Sequence, residues 1–543
     1  VTARPDGFVT VRDGAIVDGA GDPLLLRGVG LGNWLLPEGY MWHLSPGRES
    51  PREIEALVAE LVGEARAGEF WAGFRDRFVT RDDVSRIAAA GFNHVRLPLN
   101  WRVVIDRGGA WRPDGITLVD RLVAWCAEYR LWVLLDLHGA PGGQTGTNID
   151  DSDGRPELFE DPANRDLTVT LWRKLAARYR DEPWVLGYDL LNEPLPNEWQ
   201  HVYQDDLADL YRRITAAIRE VDPHHLVMYE GTHWATNWGL FTEVWDARSV
   251  LQFHRYWAPP DRSGVAHFLE VGAGLGLPVY MGEGGENNPD WLATAFQLYE
   301  DLGIGWNFWP WKKIDTVTSP CSVVPPPGWA AIVAFAQGEG PVPDPDDAWA
   351  TLQALLAALA PERCDEHPEV VRALFRRAPL SLPATGFGFA GEGRSYATRS
   401  ARPLPGFRPG DAVTILQPGA APDAEPFFGH SDGRPRTAAE RLTVRLEPGD
   451  WVGYDVAFPH PGPWTVTVMT EPGSAAPAVS LDGTEVAGTG GEGWWRGTAA
   501  ATEVGRHRLV VAAGDGTLHF GRVTIEDRDG GEGGVPGSPN TPT

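Results

Sequence analysis

Eight short apolar runs recur along the first two-thirds of the chain, bounded by glycine, proline or charged residues and largely separated by stretches of helical periodicity. Runs of this length, rich in Val, Leu, Ile and aromatic residues, read as strands buried on both faces. They lie at 24–29, 92–97, 131–137, 185–191, 225–230, 250–254, 278–283 and 304–309. Pro98 is expected to stop the second and Pro194 to end pairing after the fourth, because proline has no N–H for a ladder. Helical segments are expected at 51–77, 81–90 (ended by Gly91), 118–129, 166–179 and 204–220, with two more near 348–360 and 367–377. Strand and helix in alternation, eight times over, predict a parallel (β/α)8 TIM barrel. Residues 8–17 read as a hairpin turning at Asp13-Gly14, placed to close the bottom of that barrel.

After about residue 380 the period changes to two, in runs at 451–458, 464–469 and 508–512, with turns at Asp482-Gly483 and Asp515-Gly516. That pattern predicts a C-terminal all-β sandwich. The expected division is 1–380 for barrel and hairpin, 381–528 for the sandwich, and 529–543 for a Gly- and Pro-rich disordered tail.

Charge narrows the partners. The formal net charge is −27 over 543 residues, which repels phosphate backbones, so neither nucleic acid nor an anionic membrane is expected as a partner. No apolar run approaches the ~18 residues of a membrane span. The 24 Trp exceed ordinary usage and suit carbohydrate, since indole faces stack on the C–H faces of sugar rings. Cys126 falls on the apolar face of a helix as a buried free thiol, whereas Cys321 and Cys364 could pair. No metal-ligand spacing occurs, and neither a metal nor a cofactor is expected; the oligomeric state is left open.

The chemistry gathers at strand ends. Glu193, in L-L-N-E-P, follows strand four, and Glu283, in Y-M-G-E-G-G, ends strand seven. The C-terminal ends of those strands face each other across a barrel mouth, where catalytic groups of this fold are built. Hydrolysis of a glycosidic bond needs a proton for the leaving oxygen and a negative group facing the anomeric carbon, and two carboxyls in unlike environments supply both.

With both glutamate motifs in a barrel of this order, the first two-thirds of the chain resembles glycoside hydrolase family 5, the retaining β-glycosidases. The resemblance implies Glu193 as acid/base and Glu283 as nucleophile. It further implies that Arg96 in H-V-R-L-P bonds the nucleophile, His138 in D-L-H-G contacts sugar hydroxyls, and Asn192 bonds the sugar 2-hydroxyl. His254 and Tyr256 in F-H-R-Y-W would orient acid/base and nucleophile. Trp309 would floor the reacting subsite, with Trp311 as the alternative. The stretches N-W-L-L-P-E-G-Y-M-W and D-L-H-G-A-P-G-G-Q are similar to the exo-β-1,3-glucanase and diglycosidase members, in which a glutamate at the place of Glu38 grips the terminal sugar. Asp150, Asp151, His233 and Trp234 are further pocket candidates.

The implied activity is exo-hydrolysis of a β-glucoside or short β-glucan; a β-mannoside, a disaccharide glycoside, a furanoside, or a non-catalytic carbohydrate-binding role are the alternatives. Secretion is implied by the resemblance alone. Residues 440–526 resemble carbohydrate-binding modules, with Trp494 and Trp495 either stacking on sugar or packing against the barrel.

Overall fold

The computed structural model describes residues 5–399, 402, 404–421 and 424–528; the expected tail at 529–543 lies outside the described residues. Eight parallel strands close into a barrel in sequence order. They are β1 (Arg27–Gly30), β2 (His94–Asn100), β3 (Trp132–Gly139), β4 (Val185–Asp189), β5 (Leu226–Glu230), β6 (Ser249–His254), β7 (Val279–Gly285) and β8 (Gly305–Trp309). Every expected run overlaps one of them.

One boundary differs for a physical reason. β2 runs through Pro98 to Asn100. Arg96 gives its carbonyl to the Leu31 N–H on the β1 side, at 2.9 Å. In a parallel strand, successive residues bond alternate neighbours, so Pro98 faces that same side, past the end of β1 at Gly30. Its missing N–H costs the ladder nothing there. At the other end, β4 stops at Asp189, ahead of Pro194.

The hairpin, Thr10–Arg12 paired with Ala15–Val17, plugs the barrel floor. Val9 and Ile16 join Leu26, Leu134, Leu186, Leu226, Met228, Val250 and Tyr280 in one buried cluster. Just above, His94 Nε2 lies 2.7 Å from Tyr280 Oη, and burial lowers the His94 pKa to about 3. The folded state therefore holds a neutral imidazole whose unfolded counterpart, near 6.5, charges first. The unfolded chain binds more protons below pH 6.5, so this contribution to stability is complete above that value and falls as pH drops toward 3. From pH 7 to 4.5 the loss from His94 is expected to be about 2–3 kcal/mol. Urea midpoints should show that slope in the parent and a flatter one in His94→Gln; parallel slopes would contradict it.

The C-terminal part is two antiparallel sheets. In one, Leu518–Asp527 is flanked by Thr443–Leu446 and Gly462–Thr470, which pairs onward with Trp494–Ala501. In the other, Gly505–Ala513 is flanked by Trp451–Phe458 and Pro477–Leu481. Alternate residues of each strand, such as Val466, Val468, Val523 and Ile525 against Val452, Tyr454, Val456 and Val511, are buried, as two sheets sharing a core require. Of the paired tryptophans, Trp495 is buried within this unit, with its ring against Gly488 and Gly497. It is therefore not available to stack on sugar, nor does it pack on the barrel. Trp494, the next residue and on the opposite face, is exposed.

The two parts are tied together. Leu380–Pro383 leaves the barrel and pairs with Leu518–Asp527. Arg522 pairs with Asp290 at 2.5 Å, and Arg506 with Glu300. A strap formed by 404–421 and 424–440 returns to the top of the barrel. Its buried Arg408 gives its backbone N–H to Asp261 and its guanidinium to the carbonyls of Thr385, Phe387 and Gly388. Further along, Asn287 donates to the Phe428 carbonyl at 2.7 Å and Asn288 to that of Arg434 at 3.0 Å.

Cys126, Cys321 and Cys364 are all free. Cys321 and Cys364 do not pair because the Cys364 thiol turns to the terminal carbonyls of the preceding helix, Ala358, Leu359 and Ala360, at 3.6–3.9 Å. Among the described residues no helix is long and apolar enough to cross a membrane.

Candidate active site

Above the apolar floor the barrel lumen turns charged. Arg96 on β2 is wholly buried and spends its donors on a ring of acceptors: Nε to Asp189 at 2.9 Å, Nη1 to Glu283 Oε2 at 2.7 Å, and Nη2 to Asn192 Oδ1 at 2.8 Å and Glu230 Oε1 at 3.2 Å. Asp136 lies 3.2 Å from Nη2. One permanent cation thus stands among four carboxyls, and they cannot all be ionised. Burial raises Asp136 to about 8 despite Arg96, and burial likewise raises Asp189. Removing the guanidinium strands the whole set. Arg96→Met is expected to cost at least about 3–5 kcal/mol, the scale of a broken buried ion pair, seen as a fall in Tm; a Tm within a degree or two of the parent would refute this view of the lumen.

His138, at the end of β3, is neutral at physiological pH because burial lowers it to about 4. Its Nδ1 lies 2.7 Å from Asp136 Oδ2 and its Nε2 3.2 Å from Asn192 Nδ2. The proton therefore sits on Nδ1, and Nε2 accepts from Asn192. Asn192 is thereby oriented with its amide toward His138 and its oxygen toward Arg96.

His254, at the end of β6, behaves oppositely. Burial works against its charge, but Glu230 and Glu283 and bonds to Glu193 and Glu230 raise its pKa well above the ordinary value. The imidazolium gives Nδ1–H to Glu193 Oε1 at 2.8 Å, and its Nε2 stands 3.2 Å from Glu230 Oε1. Tyr256 gives its hydroxyl to Glu283 Oε1 at 2.8 Å.

Glu193 and Glu283 meet at the mouth. With His254 they each place one polar atom so that all three lie within 4.8 Å of one another. Burial first, then Glu193, raises the Glu283 carboxyl above the ordinary glutamate value, with His254 and Arg96 opposing. The bonding is asymmetric: both Glu283 oxygens accept, from Arg96 and from Tyr256, whereas among the described residues only one Glu193 oxygen, Oε1, is bonded, by His254. Glu193 also has an uncommon backbone, φ 44°, held by its N–H bond to Glu230 Oε2 at 2.7 Å. Strain of this kind, about 1–3 kcal/mol per residue, persists only where surrounding contacts fix it. The same trio is the one set among the described residues close enough to hold a metal ion.

Glu38, on the loop after β1, reaches the same space. It is 94% buried, its Oε1 has no hydrogen-bond partner, and it lies 4.0 Å from His138 Nε2. Burial, then Glu283 and Glu193, raise it well above the ordinary value. Trp309 lies parallel to His138, centroids 5.5 Å apart, and gives its indole N–H to Tyr40. Trp311 points away, bonded to Asp83 behind the barrel. Glu286, three residues beyond Glu283, is paired with Lys313 at 2.5 Å and so is not free to act as the second carboxylate.

Four candidates stand apart from this cluster. Asp151 is spent on Arg102, at 2.6 and 3.1 Å, and on Asn100 at 2.8 Å, and so braces its loop, as Asp150 does through the N–H groups of Gln144, Thr145 and Ser152. His233 accepts from the Asn197 N–H at 3.0 Å, on the partly exposed loop after β5 that also carries Trp234. The sequence reading left Glu230 and Gln144 without a role. Gln144 bridges the carbonyls of His138 and Asn192 at 2.6 and 3.0 Å; its place in G-A-P-G-G-Q was visible, its reach was not.

Residues 63–315, spanning most of this barrel, match the family described as cellulase, glycosyl hydrolase family 5. Residues 63–315 are a glycoside hydrolase family 5 domain. This family 5 barrel is 35% identical over 240 residues to a beta-xylosidase of Phanerodontia chrysosporium, covering 44% of this chain and 49% of that protein. It is 33% identical over 193 residues to endoglucanase C of Acetivibrio thermocellus, covering 33% and 51%. It is 34% identical over 242 residues to a probable glucan 1,3-beta-glucosidase A of Aspergillus terreus, covering 43% and 56%. The chain spans about half the length of these curated relatives.

Proposed function

We propose that this chain is a retaining β-glycoside hydrolase, exo-acting on a β-glucoside or short β-glucan. The observation that carries the reading is the approach of Glu193 and Glu283 at the barrel mouth, where one oxygen of each lies within 4.8 Å of the other. A retaining pair stands about 5–5.5 Å apart, whereas an inverting pair leaves roughly 6.5–9.5 Å for a water. Glu283, fixed by Arg96 and Tyr256, attacks the anomeric carbon while Glu193 protonates the departing oxygen. A glycosyl-enzyme forms, and Glu193 then takes a proton from the water that releases the sugar with its configuration retained. Arg96 and Tyr256 hold Glu283 for attack, and His254 holds Glu193. Asn192 and His138 face the reacting sugar, and Trp309 lies under it.

Exo action is favoured by Glu38, a buried carboxyl with an unpartnered oxygen beside the pair, placed to bind hydroxyls of a terminal sugar. The barrel over 1–380 is assigned the chemistry; the sandwich over 381–528 presents Trp494 to solvent as a face for carbohydrate. Secretion accords with a glycan substrate. A panel of nitrophenyl glycosides tests the reading and names the sugar: release from a β-glucoside with a β-configured first product, followed by NMR, is expected. An α-configured first product would exclude retention, and no release from any β-glycoside would exclude the hydrolase.

A further inference from the structure

Between the first turn of helix Pro289–Asp301, the strap and the sheet that contains Leu518–Asp527 lies a cavity of about 350 Å3 that the catalytic groups do not line. Three arginines face it, Arg436, Arg441 and Arg522, against two carboxylates, Asp290 and Glu471. Both carboxylates are taken: Asp290 by Arg522 at 2.5 Å and Glu471 by Arg441 at 2.8 Å.

Arg436 is the cation left over. Among the described residues no carboxylate comes within 4.0 Å of its guanidinium. One of its five N–H donors is used, Nη1 to the Glu440 carbonyl at 3.2 Å. Its flat face rests on the Phe428 ring, 4.6 Å from the centroid, which fixes the plane and leaves an edge free. A planar fork with a free edge is the geometry that takes an oxyanion through paired N–H bonds. On a chain of net charge −27, whose surface repels anions in general, a walled space with surplus positive charge is a local inversion. Thr470, Phe407 and Phe428 also line it, which supplies a hydroxyl-bearing residue and flat apolar rings beside a sugar ring.

We propose that this cavity is a second ligand site, separate from the catalytic pocket, that binds a small oxyanion of sugar size: the carboxylate of a hexuronic acid held by Arg436. An inorganic oxyanion such as phosphate offers the same charge without the ring. The proposal does not depend on the hydrolase reading, since neither Glu193 nor Glu283 lines the cavity.

Titration calorimetry of the full chain at low ionic strength with sodium glucuronate, glucose and inorganic phosphate tests it. Saturable binding of glucuronate at one site is expected, with glucose weaker, and with Arg436→Gln weakening glucuronate about tenfold or more, the worth of one charge-assisted bond. Arg436→Lys, which keeps the charge and loses the fork, should fall between the two and guards against a folding defect in the Gln form. Turnover of an aryl glycoside should be unchanged in both variants. Phosphate binding tighter than glucuronate, and lost in Arg436→Gln, would support an oxyanion site and assign it to inorganic anions. Absence of saturable binding by either anion up to about 50 mM, far above the Kd of a useful site, or equal binding in parent and Arg436→Gln, would overturn the proposal.

Discussion

Replacing Glu283 by Gln is expected to lower kcat/KM on an aryl β-glucoside by on the order of 10^4-fold or more, the scale of losing a covalent nucleophile, without loss of Tm. The amide keeps the shape of the side chain and leaves an oxygen for Arg96, and it removes a negative charge that burial and Glu193 both oppose. Tm should therefore hold or rise. The smaller Glu283→Gly variant opens a space in which azide can attack the anomeric carbon from the nucleophile's side, so an α-glycosyl azide is the expected product. Activity of Glu283→Gln within tenfold of the parent would remove Glu283 from the reaction altogether.

Replacing Glu193 by Gln should separate substrates by leaving group. A dinitrophenolate leaves without help, so kcat/KM on its glycoside should fall by about tenfold or less, whereas kcat/KM on an alkyl glycoside, which needs the proton, should fall by on the order of 10^3-fold, within the range of general acid catalysis. Azide with Glu193→Gly should give the β-glycosyl azide, the opposite anomer to that from Glu283→Gly. The pair of anomers is the sharper test, since a folding defect cannot produce it. If both substrate types slowed alike, Glu193 would not be the acid.

Much of the barrel could be read from the chain because each strand is buried on both faces and so appears as a continuous apolar run. The ends were less legible. Pro98 reads as a stop because the rule for proline presumes a partner on both sides, and the early end of β1 at Gly30 removes one. Residues at strand ends, including Glu193, Glu283, His254 and Trp309, were identifiable because motif and position coincide. Glu230 was not, since a carboxylate inside a lumen has no local signature: its importance comes from Arg96, His254 and the Glu193 N–H, which are brought to it only by closure of the ring. Asp151 shows the converse. Its place in an acidic loop suggests a ligand contact, but Arg102, from the other end of a long sequence separation, takes its charge. The Cys321–Cys364 reading failed for a similar reason, since the count of cysteines does not say which way a thiol points.

The strap that runs from the sheets back over the barrel bears on how such a chain can be rearranged. Asn287 and Asn288, a few residues beyond Glu283, hold carbonyls of Phe428 and Arg434. Recombination at the junction near residue 380 would detach those anchors from the reacting end of the molecule. The C-terminal part is thus not a cassette that could be exchanged between enzymes like a bead on a string; it must be inherited together with the loops it fastens.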